Sequence, residues 1–240
     1  MKNALRIGGL WVILLALFGF SCKISYPLLL SKELPEGSTT LQMDVFQNYT
    51  YLHLTVFVKE GAVMVDDGEG NQKAIAYTEF LCPMMTVCEN YIALFAYPNC
   101  YFYLVELNSL SVLKIDTPSP VSSLKLSENG CALALSHSES KVYLYTDEGK
   151  LKMTVETELL LWDANLSKNG SKVGMLMISA KNKNGFIAEI FRTKNGDCIS
   201  SDKFIYEGLP VCAVQKGKMF VFEGDTAIGY LDNGKFHLFP

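Results

Sequence analysis

The sequence predicts an all-β fold, a β-propeller-like array of about five four-stranded blades that follows one N-terminal transmembrane or signal helix. The first observation is a repeated segment, Leu-Ser-Glu-Asn-Gly at residues 126–130 and Leu-Ser-Lys-Asn-Gly at residues 166–170, forty positions later. Each copy lies between two short apolar segments, which predicts a strand, a turn and a strand. A period of about forty residues with four short strands per unit is typical of propeller blades. The second observation is that no amphipathic helix of three or more turns is evident from Met43 onward.

Five units with this pattern follow one another along the chain. Asp-Gly and Asn-Gly pairs stand at several of their turns and favour tight hairpins, because glycine adopts positive φ at little cost. The units are predicted at residues 43–80, 81–117, 118–156, 157–206 and 207–240. In the first unit, residues 51–58 alternate and predict a single strand with Leu52, Leu54, Val56 and Val58 on one face.

The N-terminus predicts a membrane segment. Lys2 and Arg6 precede an apolar run at residues 7–22, and Lys23 ends it. Basic residues before such a run place the N-terminus in the cytoplasm and the body of the chain outside, in an extracytoplasmic position. The predicted organisation is an anchor or signal at residues 1–23, a Pro- and Gly-containing linker at 24–42, and a propeller-like domain at 43–240.

Three interpretations of this run remain open. An uncleaved single-pass anchor in the cell membrane is favoured. A cleaved secretory signal is the second, because Gly19 and Ser21 form a small-x-small site. A lipid anchor through Cys22 is the third. A buried segment of a cytosolic domain is disfavoured by the terminal position and the flanking cations.

Composition narrows the function classes. The chain has 240 residues, 49% of them hydrophobic, and a formal net charge of −4, and no clustered basic face predicts a nucleic-acid partner. The seven cysteines include no CxxC pair, and their odd number argues against a complete disulfide framework. We expect most of them to be small buried apolar residues, with one or two disulfides as the alternative.

No candidate for catalysis, cofactor binding or metal binding stands out. The three histidines, His53, His137 and His237, have no local metal-ligand spacing, and no nucleophile-elbow motif accompanies them. The acidic segment at residues 66–71 lacks the alternating ligands of a calcium loop and predicts a solvated hairpin turn. No glycine-rich phosphate loop follows a strand and opens a helix.

One polar insertion is the candidate partner-contact loop. It lengthens the inner hairpin of the fourth unit. Its residues are Lys181, Asn182, Lys183 and Asn184. Loops on rigid scaffolds often carry binding, so this loop is a candidate contact with a partner, and a mobile hairpin tip is the alternative.

The segments at residues 121–130, 142–150 and 164–173 resemble a family of bacterial membrane-anchored, propeller-like proteins of unknown function. Residues 46–49 and Pro83 fit the earlier units of that family. The resemblance covers most of the chain and rests on turn and strand motifs that WD40-like and quinoprotein-like propellers share. It implies a propeller-like fold behind a membrane anchor and implies no catalytic residues. The family has additional units after the fifth, so five units predict either a small closed ring or an open arc.

These observations predict a non-enzymatic binding or scaffold module for a protein or cell-envelope ligand. An envelope enzyme or cofactor-binding propeller, with a site assembled across blades, is the first alternative, and a truncated relative with a structural role is the second. Convergent polar residues with perturbed pKa values at the channel mouth would favour the enzyme. An exposed aromatic or apolar patch would favour the binding module.

Overall fold

The computed structural model describes residues 48–52, 54–80, 83–179 and 185–239. These residues form twenty strands and one short 3₁₀ turn, and all of them lie in one compact unit, Asp44–Pro240. The predicted anchor or signal at 1–23 and the predicted linker at 24–42 lie outside the described residues. Within the described residues, no helix has the length and the apolar character needed to span a membrane.

The strands form five four-stranded antiparallel sheets, each made of four consecutive strands, which confirms the predicted blades. Blade 1 contains β1 (Asn48–Tyr51), β2 (Leu54–Lys59), β3 (Ala62–Asp66) and β4 (Gln72–Tyr77). Blade 2 contains β5 (Met84–Cys88), β6 (Tyr91–Phe95), β7 (Tyr101–Glu106) and β8 (Ser111–Asp116). Blade 3 contains β9 (Ser123–Leu126), β10 (Ala132–Ser136), β11 (Lys141–Tyr145) and β12 (Leu151–Glu156), with the 3₁₀ turn at His137–Glu139.

The last two blades complete the array. Blade 4 contains β13 (Leu160–Leu166), β14 (Lys172–Ile178), β15 (Gly185–Arg192) and β16 (Cys198–Ile205). Blade 5 contains β17 (Val211–Gln215), β18 (Lys218–Glu223), β19 (Thr226–Asp232) and β20 (Lys235–Leu238).

The first unit departs from the single strand predicted over residues 51–58. A tight turn interrupts it, since β1 pairs with β2 and Tyr51 lies opposite Leu54. Leu52 stands in this turn with φ of 55° and a 76% exposed side chain. Leu54 and Val58 do pack toward blade 2, as expected. The turn escaped prediction because Leu52 is apolar, and none of the usual turn residues marks the break.

Because successive side chains of a strand point to opposite faces, each inner blade contributes to two cores. In β10, Leu133 packs toward blade 4 and Ala134 toward blade 2. Four apolar clusters result, one at each junction from blades 1–2 to blades 4–5. A closed ring of five blades needs a fifth cluster, and none joins blade 5 to blade 1 among the described residues. The apolar clusters of the described residues therefore join the five blades in a row, which we call the arc.

The two faces of the arc differ in which loops they carry. The first strand of each blade runs from what we call the lower face to the upper face. The turns after the first and third strands therefore lie on the upper face. The turns after the second strands, and the loops between blades, lie on the lower face. The chain enters β1 at Asn48 from the lower face.

The repeated Leu-Ser-x-Asn-Gly segments form neighbouring turns on the upper face. The Glu128 N–H donates to the Lys168 carbonyl at 2.8 Å, and Asn129 Nδ2 donates to the Asn169 carbonyl at 3.2 Å. Gly130 has a φ of +77°, which glycine adopts without the cost that a side chain would impose. The repeat therefore joins blade 3 to blade 4 and is architectural.

Candidate functional site

Blade 5 exposes one face that the other blades bury. Met219 and Val221 point toward blade 4 and are fully buried, at 0% exposure. Phe220 and Phe222 alternate with them in β18, point to the opposite side and remain partly exposed. The corresponding faces of blades 2, 3 and 4 carry side chains such as Phe102 that the next blade buries. Among the described residues, no sixth blade covers β18.

The side chains on this side form one connected group, which we call the blade 5 aromatic face. It consists of Phe220, Phe222, Tyr230, His237 and Phe239. Cross-strand pairing aligns Phe220 with Tyr230 and Tyr230 with His237. The ring centroids of Tyr230 and His237 are 5.0 Å apart with a 19° interplanar angle, and those of Tyr230 and Phe239 are 5.5 Å apart. The rings therefore hold one another in place before any ligand arrives.

A charged pair borders this face. Lys218 Nζ lies 4.7 Å from the centre of the Tyr230 ring and 2.9 Å from an Asp232 carboxylate oxygen. The ammonium group is thus shared between a carboxylate and an aromatic ring. Since both charges lie at the edge, the centre of the face is apolar and aromatic. An apolar centre with a polar edge is the usual anatomy of a protein–protein interface.

A second group of polar side chains lies between blades 3 and 4, on the lower face. Ser122 Oγ lies 2.6 Å from His137 Nδ1, and His137 Nε2 lies 3.1 Å from the Trp162 carbonyl. Because a carbonyl can only accept a hydrogen bond, Nε2 carries the proton in the tautomer that bonds to Trp162. Burial lowers the pKa of His137, so the imidazole is neutral near pH 7.

Ser122 also bonds to backbone groups at the end of the neighbouring strand β10. Its Oγ accepts the His137 backbone N–H at 3.0 Å and lies 2.8 Å from the Leu135 carbonyl. The serine and the imidazole are therefore held by backbone groups of blades 3 and 4. They form a clamp between the two blades and have the arrangement of a serine–histidine pair.

Side chains of β13 tie blade 4 to blade 5 in a similar way. Asp163 Oδ2 accepts the Cys212 backbone N–H at 2.8 Å, and Asn165 Nδ2 donates to the Cys212 carbonyl at 2.9 Å. Asp163 Oδ1 lies 3.9 Å from Lys125 Nζ of blade 3. Burial, followed by the nearby Asp163 carboxylate, raises the pKa of the Cys212 thiol well above its usual value. Cys212 is therefore a packing residue and an unreactive thiol.

The candidate contact loop predicted in blade 4, Lys181 to Asn184, lies outside the described residues, as do His53, Cys22 and Cys82. The strands that flank the loop are described, and the Ser179 N–H donates to the Gly185 carbonyl at 2.9 Å. β14 thus ends, and β15 begins, at the lower face.

The acidic segment at residues 66–71 forms a turn, as the sequence predicts. Asp66 Oδ1 accepts the Gly68 N–H at 2.8 Å, and Asp67 Oδ2 accepts Asn71 Nδ2 at 2.8 Å. These carboxylates are used inside the turn. In the part of the chain that the structure describes, no group of three or more His, Cys, Asp and Glu side chains could hold a metal ion.

The cysteines divide by position. Cys131 and Cys212 are buried, Cys88 is half-buried, and Cys100 and Cys198 are exposed, all as free thiols. The expectation of buried free cysteines therefore describes two of these five.

The aromatic face was not predicted from the sequence, although β18 carries a signal for it. Residues 219–222 are Met-Phe-Val-Phe, apolar on both sides of the strand. A strand of this kind is typical of a sheet that is covered on both faces. Within the described part of the chain, another blade covers blade 5 on only one face.

Residues 36–186 match the model of a family described as Family of unknown function (DUF5711). The chain belongs to this family. The match includes blades 1, 2 and 3 and the first half of blade 4 of the DUF5711 domain. No curated protein matches the chain.

Solved propellers have similar folds at low sequence identity. Hsv2p of Kluyveromyces lactis is 12% identical, with a TM-score of 0.55, and the match covers 78% of this chain and 66% of that one. Hydrazine synthase of Kuenenia stuttgartiensis is 9% identical, with a TM-score of 0.52, and the coverages are 79% and 58%. Raptor of Chaetomium thermophilum is 10% identical, with a TM-score of 0.51, and the coverages are 72% and 18%. The DUF5711 chain thus spans less than two thirds of each of these proteins, and the similarity shows the fold.

Proposed function

We propose that this protein is a membrane-anchored, extracytoplasmic and non-enzymatic binding or scaffold module, and that it docks a protein ligand on the blade 5 aromatic face. One observation carries the proposal. The side of the sheet that the following blade covers in blades 2, 3 and 4 is not covered by a further blade of the described residues in blade 5, and it presents five linked aromatic rings.

The chemistry of this face suits a protein surface with an apolar centre. Aromatic side chains supply large contact areas at a low cost in conformational entropy, and they dominate the binding energy of many interfaces. The rings are prearranged by their own stacking, which reduces the ordering cost of association. Lys218 and Asp232 at the edge can exchange their mutual contact for polar groups of the ligand.

The position in the cell rests on the sequence. Lys2 and Arg6 before the apolar run at residues 7–22 support a single-pass anchor with the propeller-like domain outside. An anchored module with a docking face holds its ligand at the membrane. The polar loop at 181–184 remains a predicted second contact.

The alternative function is an envelope enzyme, and the Ser122–His137 pair is the observation that favours it. A neutral imidazole 2.6 Å from a hydroxyl is one element of nucleophilic catalysis. The binding function is favoured because Ser122 and His137 are both bonded to backbone groups that hold the blades together. A serine-directed fluorophosphonate that labels the wild type and fails to label Ser122→Ala would support the enzyme.

The proposal is tested by chemical cross-linking in intact cells that express the full chain. Wild-type protein is compared with a Phe220→Ser, Tyr230→Ser double variant and with Leu151→Ser, which alters an exposed leucine of blade 3. We expect one specific cross-linked protein for the wild type and for Leu151→Ser. We expect it to be lost in the double variant at an unchanged melting temperature. A cross-link that survives in the double variant would rule out this face as the docking surface.

A further inference from the structure

Exposed apolar side chains gather on the lower face of the arc. Seven large apolar side chains of the described residues are more than half exposed. One of them, Leu52, lies in an upper-face turn. The other six lie on the lower face: Tyr77, Tyr97, Leu160, Ile205, Leu209 and Leu238. Scattered exposed apolar residues are ordinary on a monomer, whereas six of the seven most exposed ones lie on one face here, and the similarly exposed Leu151 lies on the upper side.

Each of these side chains stands where a strand begins or ends, or in a lower-face loop. Tyr77, Ile205 and Leu238 are the last residues of β4, β16 and β20. Leu160 is the first residue of β13, and Tyr97 and Leu209 belong to loops. They come from blades 1, 2, 4 and 5, so they are spread along the arc as separate tips. Exposed apolar side chains that are spread over one face fit the broad, flat surface of a lipid layer better than a compact protein epitope.

The same face receives the N-terminal part of the chain. β1 starts at Asn48 on the lower face, so the segment that carries the apolar run at residues 7–22 joins the domain there. About 25 residues separate Lys23 from Asn48, and a chain of this length can reach at most about 90 Å. Attachment at this distance gives a millimolar effective concentration, so that a weak surface affinity is enough for contact.

We propose that the lower face rests on the lipid surface of the membrane that holds the N-terminal segment. This inference rests on the anchoring in the proposed function. Tyr77 and Tyr97 have the amphipathic rings that are enriched at the level of the lipid headgroups. The leucine and isoleucine tips enter the boundary between headgroups and acyl chains, as the apolar sides of interfacial segments do.

The charges of the lower face define the kind of lipid surface. Glu79, Glu158, Glu207 and Asp225 are exposed on it. Since the exposed charges here include these carboxylates, the contact is carried by apolar side chains. It is therefore weakened when the fraction of anionic lipid rises, whereas a basic surface would bind more tightly. On this arrangement, the blade 5 aromatic face stands at the side of the arc and stays open to a protein ligand.

The test uses the full chain in phosphatidylcholine vesicles that contain a lipid brominated near the headgroup, which quenches nearby tryptophan emission. The chain has two tryptophans, Trp11 in the predicted anchor and Trp162 in blade 4. The Trp11→Phe variant gives the background emission of Trp162. The emission of the wild type minus that of Trp11→Phe reports Trp11. A new reporter is then added as Leu209→Trp on the lower face or as Leu151→Trp on the upper side of blade 3. Leu209 and Leu151 are matched in exposure, at 53% and 49%.

We expect quenching of Trp11 and of the reporter at 209, and none of the reporter at 151. Quenching of Trp11 with equal signals at 209 and 151 would overturn the lower-face contact while leaving the anchor intact. Absence of quenching at Trp11 would instead refute the anchoring.

An introduced tryptophan could itself draw the lower face to the lipid headgroups. Hydrogen exchange in lipid nanodiscs controls for this effect, because it uses protein without an added tryptophan. The loop at residues 206–210 is expected to be protected in wild-type protein and to lose this protection in Ile205→Ser, while the upper-face turn at 146–150 exchanges equally in both. A loop that exchanges freely in the wild type would contradict the proposal and would point to a protein occupant of the lower face.

Discussion

Gly174 in β14 tests whether blade 5 packs on blade 4 as described. A Cβ atom at this position would lie 2.7 Å from Met219 Sδ and 2.7 Å from Val214 Cγ2. Gly174, Met219 and Val214 are all buried, and ordinary contacts between such atoms are about 3.5–4.0 Å. Gly174→Ala must therefore separate the blades or displace Met219, and overpacking of this kind costs about 1–3 kcal/mol of unfolding free energy.

The direction of the change makes this prediction decisive. Without a clash, Gly→Ala at a compatible position stabilises by about 0.4–1 kcal/mol. Thermal unfolding of the full chain should instead show a decrease of roughly 2–12 °C, since about 1 kcal/mol shifts the melting temperature of a domain this size by about 2–4 °C. Met219→Ala alone should destabilise, and should cost less in the Gly174→Ala background. A higher melting temperature for Gly174→Ala, or strictly additive effects, would refute this packing.

Three further predictions concern the turn at Gly130, the Ser122–His137 clamp between blades 3 and 4, and the free cysteines. Gly130 and Gly196 share a φ near +76°. A Cβ atom at Gly130 would lie 2.6 Å from an aromatic ring of blade 2, whereas one at Gly196 would meet no atom within 4 Å. Urea unfolding should therefore show a larger loss of stability for Gly130→Ala than for Gly196→Ala. Burial lowers the pKa of His137 below its usual 6.5, so the unfolded chain takes up the proton first as pH falls. The unfolding free energy should therefore be highest above pH 6.5 and decrease as the pH falls toward the lowered pKa, and His137→Gln should lack this component. In native protein, a thiol reagent at pH 8 should modify the exposed Cys100 and spare Cys212, and equal rates would contradict the burial of Cys212.

Most of the architecture could be predicted because it is encoded locally. Turn residues such as Gly130 and short apolar strands such as β10 act within a few positions, and the forty-residue period repeats them from blade to blade. Leu52 shows the limit of this approach, because a turn made by an apolar residue carries no compositional mark. The same local signals left open whether the ring closes, since closure depends on contact between the two ends of the array.

The candidate sites depend on long-range placement and were out of reach of the sequence. Ser122 and His137 are fifteen positions apart and Trp162 is another twenty-five away, and only the stacking of blades 3 and 4 brings them together. In the same way, the sequence shows that Phe220 and Phe222 are apolar, but not that no other blade in the described part of the chain covers their side of blade 5. The contact predicted at residues 181–184 stays a prediction.

Hydroxyl-radical footprinting reports the side-chain accessibility of the blade 5 aromatic face with and without cellular partners, and so shows whether a protein ligand covers this face. The full chain is oxidised once in purified lipid nanodiscs and once in native membranes, with Leu151 as an exposed reference. We expect Phe222 and Tyr230 to be oxidised in nanodiscs and protected in native membranes, while Leu151 reacts equally in both. Equal oxidation of Phe222 and Tyr230 in both preparations, or their protection already in nanodiscs, would contradict an open face that docks a protein ligand.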